Sequence, residues 1–203
     1  GWLRDRLPAR PADAHKGTFG KALIVAGSAN YTGAAYLAGA GAIRVGVGLA
    51  TLGVAGMLYP ILAGRLVETT WLLLPHDMGA IRVDAAKVIL EKIEGYTALL
   101  VGPGLGKENG TQEFVHSLLV GKQAEAKRAR RIGFATETTT EETEPESPKL
   151  PPTVIDADAL NALAEIENWS ASLTAASAVL TPHPGEMARL LGSTTEAVQA
   201  DRV

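Results

Sequence analysis

The sequence predicts an α/β fold: a central, mainly parallel sheet with helices on both faces. Three observations predict it. Short continuous apolar runs recur along the chain, each stopped by glycine, proline or small polar residues, as expected of strands buried on both faces. Segments with helical spacing of apolar residues separate those runs. Polar or glycine-rich clusters follow the runs, where ligand-binding loops of open α/β sheets lie.

The elements follow in order. After a polar entry segment through Pro8 and Pro11, Lys21–Ala26 (KALIVA) is a strand stopped by Gly27-Ser28-Ala29-Asn30. Thr32–Gly46 places Ala35, Leu37, Ala38, Ala42, Ile43 and Val45 at helical spacing. Its internal glycines weaken it in isolation and let it approach a neighbour closely. Leu49–Val54 is the next strand, completing a βαβ unit. Leu66–Leu74 is strand-like and Val83–Ile93 helical. Ala98–Val101 is a strand ending in Gly102-Pro103-Gly104-Leu105-Gly106, and Thr111–Val120 is a helix. Thr153–Ile155 is a strand leading into Asp156-Ala157-Asp158, with a helix over 159–166. Ala178–Leu180 is a strand ending in Thr181-Pro182-His183-Pro184-Gly185, and Glu186–Leu191 starts another helix.

One stretch breaks the alternation. Residues 122–131 are basic, 137–146 acidic and threonine-rich, and Pro148, Pro151 and Pro152 follow. Little in 122–152 is able to build a core, so it reads as a low-complexity insertion within a single domain spanning 1–203.

Composition narrows the function. A chain of 203 residues that is 46% apolar supports one sizeable core. A formal net charge of −3 argues against wholesale attraction to nucleic acid or anionic lipid. No unbroken apolar stretch reaches the roughly 18 residues of a membrane span. The absence of cysteine excludes disulfides, thiolate metal sites and a cysteine nucleophile, and fits a reducing cytoplasm. Residue 1 is glycine, read as an added residue or an internal point of a longer polypeptide.

Four stretches are read as carrying the chemistry at the carboxyl ends of strands. The first joins His15–Gly20 to Gly27–Ala35; a glycine turn opening a helix either holds an anion or polar ring on free N–H groups, or serves packing alone. Neither G-x-G-x-x-G nor a P-loop is present, which counts against an ordinary Rossmann dehydrogenase and a P-loop kinase. The second is the rigid turn Gly102–Gly106, whose backbone can touch a ligand with no side chain in the way. In the third, Asp156–Asn161, one aspartate caps the helix and the other binds a ligand hydroxyl or a metal, although no third metal ligand is evident. In the fourth, His183 stands between two prolines in a restricted backbone just past a strand. A ligand contact there is preferred over a plain surface turn with a helix-start glutamate. His76 and His116 read as surface residues.

In this order the segments HKGTFGKALIVAGS, YTGAAYLAGAGAIRVGVG, LLVGPGLG, VIDADALNALA and LTPHPGEMARLLG resemble the ADP- or ATP-dependent NAD(P)H-hydrate dehydratases, from about His15 to Gly192 apart from 122–150. LTPHPGEMARLLG is the most specific. The resemblance implies a ribokinase-like fold and repair of NADH or NADPH hydrate. ADP would phosphorylate the hydrate hydroxyl, elimination would restore the dihydronicotinamide, and AMP and phosphate would be released, with Mg2+ neutralising the transferring phosphates. It implies substrate contacts at Ala35, Gly104 or Gly106 and His183, with Asp156 and Asn161 lining the same cleft. The family's nucleotide-binding turn and its catalytic aspartate are expected beyond Val203, so this stretch by itself is expected to be inactive. A homo-oligomer, often a tetramer, and a fused N-terminal epimerase domain are further implications. The alternatives are a ribokinase-like kinase acting on a vitamin-precursor alcohol and a non-catalytic nucleotide-binding module.

Overall fold

A computed structural model describes residues 11–15, 17–121, 150–173 and 177–202. Most of the predicted insertion, 122–149, lies outside them. Its last three residues already belong to the fold. Leu150 is buried, and the Pro152 carbonyl accepts from the Leu99 N–H at 3.0 Å.

Six parallel strands form the sheet: β1 (Lys21–Val25), β2 (Leu49–Ala55), β3 (Thr70–Leu74), β6 (Ala98–Val101), β7 (Thr153–Ile155) and β8 (Ala178–Leu180), in the order β3-β2-β1-β6-β7-β8. Between β3 and β6 a two-stranded antiparallel hairpin, β4 (His76–Asp77) and β5 (Ala80–Ile81), turns at Met78 and Gly79. The helices are α1 (Thr32–Val45), α2 (Tyr59–Ala63), α3 (Ala85–Leu90), α4 (Asn109–Leu119), α5 (Asp158–Leu163), α6 (Trp169–Ser172), α7 (Pro184–Leu191) and α8 (Thr195–Ala200).

Strand periodicity of two divides the core into two layers. Leu23 and Val25 of β1, Leu99 and Val101 of β6 and Ile155 of β7 face one side. There they pack with Ala85 and Ile89 of α3, Phe114, Val115 and Leu118 of α4, and Leu160 and Leu163 of α5. Ile24 of β1 and Ala50, Leu52 and Val54 of β2 face the other side, against Ala35 of α1 and Leu58 and Leu62 at α2. Helices thus cover both faces, as the alternating pattern predicts. The small residues of α1 serve this second layer: a Cβ on Gly39 would stand 3.1 Å from Leu66 and 3.2 Å from Leu52.

The chain runs outward from β1 to β2 and β3, then returns to place β6 on the opposite side of β1. The connection therefore reverses direction between β1 and β6. Such a switch point opens a crevice between the two carboxyl-end loops, the place where open α/β sheets take ligands.

The predicted histidine positions change in two cases. His116 is half-buried, with Nε2 2.9 Å from the Ala162 carbonyl. His76 is also half-buried, and its Nδ1 accepts from the Gly79 N–H at 3.4 Å. Each ring finds a backbone partner, so neither is a free surface side chain.

Candidate functional site

Consecutive backbone hydrogen bonds tie four loops along the carboxyl edge. The Gly27 N–H donates to Pro103 O at 2.8 Å, Gly102 N–H to Val25 O at 3.2 Å, Asp156 N–H to Val101 O at 3.1 Å, and Thr181 N–H to Ile155 O at 3.2 Å. The loops after β1, β6, β7 and β8 therefore stand side by side in sheet order. Gly104 and His183 lie on the same edge.

One sequence expectation changes here. His15–Gly20 precedes β1, and in a parallel sheet the amino ends of all strands share one edge. Phe19 O and Gly20 O accept from Gly48 and Leu49, at the start of β2. The Phe19–Gly20 end of the first motif therefore belongs to the edge away from the loops, whereas Gly27 follows β1 on the carboxyl edge.

At the switch point the turn after β6 depends on backbone. Gly102 has φ +130, and an added Cβ would collide with the Asp156 carbonyl. Gly104 has φ +65, and its Cβ would stand 2.6 Å from that of Ala34 and 2.8 Å from that of Tyr31. Only glycine combines these dihedrals with this closeness. Gly104 is half-buried and faces the start of α1. Gly106 is buried instead; its N–H donates to Asp158 Oδ2 at 3.0 Å. Ala35, expected to touch a ligand, is fully buried in the second core layer, where its Cβ would meet one added at Gly27 at 2.8 Å. The groups beside Gly104 are Ala34 of α1 and Tyr31, its N-cap residue, which the sequence reading did not single out.

Past β7, neither aspartate caps α5. The N-cap is Ala157, with φ +50 and ψ −117 and no side-chain cap. Holding a non-glycine residue there costs of order 1–3 kcal/mol, and such strain gathers at functional sites. Both carboxylates reach across to neighbouring loops. Asp156 Oδ1 accepts from Thr181 Oγ1 at 2.8 Å, and Asp158 Oδ2 holds the Gly106 N–H. Asn161 lies one turn into α5, where Oδ1 accepts from Arg189 Nη1 at 2.8 Å. With Gly106, Lys107, Asp158 and Arg189 it lines a cleft of about 380 Å³. Gly104, Asp156 and His183 are not in that lining.

His183 is the N-cap of α7. Its Nδ1 accepts from the N–H groups of Gly185 at 3.0 Å and Glu186 at 3.3 Å, while Glu186 Oε2 accepts from the His183 N–H at 3.0 Å. Pro184 occupies the first helical position, which needs no N–H. The helix-start reading and an accessible ring therefore coexist: the His183 side chain is 63% exposed.

A larger cavity, about 550 Å³, opens between Ser28–Asn30, the β4–β5 hairpin and the start of α4. Ser28, Asn30, His76, Arg82, Glu108 and Thr111 contribute polar groups to it. The sequence reading missed its hairpin wall, because two-residue strands show no periodicity. Among the described residues no group of three or more His, Cys, Asp or Glu forms a metal-binding cluster, and no helix is long and apolar enough to cross a membrane.

Comparison with known proteins adds a family. The family model described as NAD(P)H-hydrate dehydratase (Carb_kinase) matches residues 22–203. The bifunctional NAD(P)H-hydrate repair enzyme Nnr of Moorella thermoacetica is 37% identical over 203 residues, covering 100% of this chain and 33% of that protein. The ADP-dependent (S)-NAD(P)H-hydrate dehydratase of Bacillus subtilis is 31% identical over 200 residues, covering 98% of this chain and 57% of that protein. The chain thus spans about a third of the first relative and just over half of the second. The crystal structure of the ADP/ATP-dependent NAD(P)H-hydrate dehydratase from Bacillus subtilis, co-crystallised with ATP and Mg2+, superposes with a TM-score of 0.66 at 29% identity, over 98% of this chain and 57% of that one. A ribokinase-like superfamily protein from Enterococcus faecalis shares the fold, with a TM-score of 0.66 at 20% identity over 96% of this chain and 56% of that one. The match across 22–203, on a fold shared with these structures, gives the conclusion: this chain belongs to the NAD(P)H-hydrate dehydratase family.

Proposed function

We propose that this chain forms the hydrate-binding face of an ADP-dependent NAD(P)H-hydrate dehydratase. One observation carries the reading: the loops after β1, β6, β7 and β8 are hydrogen-bonded in unbroken succession along the carboxyl edge, beginning at the switch point. That edge offers half-buried backbone at Gly104, packed against Ala34 and Tyr31, and an exposed imidazole at His183. A dinucleotide whose ring carries an added hydroxyl suits both, because flat rings pack on glycine backbone and oxygen acceptors take an imidazole N–H.

In the proposed reaction the hydrate oxygen attacks the β-phosphorus of ADP, and the bond to AMP breaks. The phosphorylated oxygen then leaves as phosphate while a neighbouring ring proton is lost, restoring the double bond. Hydrate and ADP thus give NAD(P)H, AMP and phosphate in balance. This chain's part is to bind and orient the hydrate. The described residues do not fit a resident Mg2+ site: Asp156 and Asp158 are committed to Thr181 and Gly106, and no third donor joins them. No step is assigned to the metal.

A cytoplasmic homo-oligomer and fusion to an N-terminal epimerase domain complete the proposal. Calorimetry of the 203-residue chain with NADPH hydrate should give saturable one-site binding; heats no larger than those of inorganic phosphate would refute it. In the full-length gene product, NADPH should form from its hydrate with ADP. Accumulation of a stable phosphorylated alcohol would favour the small-molecule kinase instead.

A further inference from the structure

We infer that the outer face of α1, with its neighbour α2, is where a second copy of this chain docks, the two α1 helices meeting antiparallel about a two-fold axis. The inference goes beyond the hydrate-binding reading and does not depend on it; of the proposed homo-oligomer it names the face.

Charge is the first sign. The chain is 20% charged, yet from Ala22 to Gly64 the only charged residue is Arg44. That stretch builds most of β1 and all of α1, β2 and α2. Strands buried between layers need no charge, but the outward side of a surface helix ordinarily carries it. Here the outward side is apolar instead. Leu37 is 70% exposed and Val45 79%. Tyr59 and Ile61 of α2 and Val67, in the connection over the same face of the sheet, are exposed as well. These five residues leave on the order of 600 Å² open, against roughly 800 Å² per partner in a stable interface. Exposed apolar surface of that extent marks a contact surface.

Glycine is the second sign. Gly33 and Gly41 each cost about 1 kcal/mol in a helix relative to alanine. Gly39 has a reason within the chain, because its Cβ would press on Leu66 and Leu52. A Cβ on Gly33 or Gly41 meets no described atom within 4 Å. Hollows kept open on an exposed face suit a surface arriving from outside.

The order of these residues selects the occupant. Gly33, Leu37, Gly41 and Val45 recur every four positions, so they form one row along α1: hollow, knob, hollow, knob. Reversed, the row is knob, hollow, knob, hollow. A two-fold axis midway between Leu37 and Gly41 therefore sets Leu37 against the partner's Gly41 and Val45 against the partner's Gly33, in both directions at once. That reciprocity belongs to an isologous contact; an unrelated partner has no cause to match it. The same axis holds the two Arg44 positions roughly 15 Å apart along the helices, beyond a screening length of about 8–10 Å.

Sedimentation of the ligand-free chain tests the docking without reference to hydrate. At micromolar concentration the wild-type chain should sediment at twice its 21.2 kDa, or at an even multiple of that mass. Leu37→Glu places a carboxylate in the contact, and Gly41→Lys fills the hollow. Each alone should halve the mass, with self-association weakened about a hundredfold or more. Both positions are open to solvent within one chain, so far-ultraviolet circular dichroism should stay unchanged. Mixed in equal amounts, the two variants should associate again. The introduced carboxylate of one then faces the introduced ammonium of the other, and the second Leu37–Gly41 contact is untouched. A wild-type chain that sediments as a monomer overturns the inference. So does an assembly that neither variant weakens, which would put the contact on another surface. Folded variants that stay apart when mixed overturn it too, because the antiparallel register requires their pairing.

Discussion

Around β1 and β6 the carboxyl edge is made of backbone: Gly102 and Gly104 hold positive φ angles and lie against Asp156 O and the Cβ atoms of Ala34 and Tyr31. Around β7 and β8 it is made of side chains: Asp156 reaches Thr181, Asp158 reaches Gly106, and His183 and Glu186 close on each other. The first half excludes any added atom and is indifferent to charge. The second tolerates changes of volume but depends on particular donors and acceptors. One edge thus joins a half fixed by close backbone packing to a half fixed by polar side chains.

The largest expected effect tests the backbone half. Gly102→Ala drives a Cβ into the Asp156 carbonyl at a φ that alanine rarely adopts. Urea denaturation should show a loss of more than about 3 kcal/mol or no folded protein. A loss below about 1 kcal/mol would mean that the turn relaxes easily, and the contrast between the halves would go. A middle-sized effect tests the side-chain half. Asp156→Ala and Thr181→Val should each cost about 1 kcal/mol, the worth of one hydrogen bond. The double variant should cost little more than either one; simple additivity would show that the 2.8 Å contact carries no coupling. The smallest effect is a control away from the edge. Lys87 and Glu91 form an exposed pair at 4.0 Å on α3, so Lys87→Ala should shift stability by less than about 0.5 kcal/mol in the same titration.

The same contrast explains what was legible in the sequence. Ala98–Val101, Thr153–Ile155 and Ala178–Leu180 are strands with the predicted bounds, because each is an apolar run ended by turn residues. Leu66–Leu74 was read too long. Leu66 is buried in the second core layer, and the Thr69 hydroxyl donates to its carbonyl, making a turn before β3. The β4–β5 hairpin turns through Met78 at φ +47 and Gly79 at φ +89, a geometry that Asn-Gly advertises and Met-Gly does not. Along the carboxyl edge, the tight turn at Gly104 and the restricted backbone at His183 were legible because a close backbone approach demands glycine and paired prolines restrict a histidine. Ala35 was not, because spacing along a helix does not say whether a small residue faces ligand or core. The expected aspartate cap of α5 is not found, because both carboxylates bond to other loops, Asp158 to Gly106, 52 residues away, and Asp156 to Thr181. Proline at the first position of α7 and glutamate at the third are start signals, but histidine is not a usual cap residue. Its ring bonds became visible only with the geometry.

The most direct test is an amide NMR titration of the 15N-labelled chain with NADPH hydrate. Signals of Gly104, Gly185 and Glu186 should shift together with one dissociation constant, while those of Gly20 and Lys21 on the amino edge stay in place. Shifts confined to one half of the carboxyl edge, or centred on the amino edge, would contradict a single binding face.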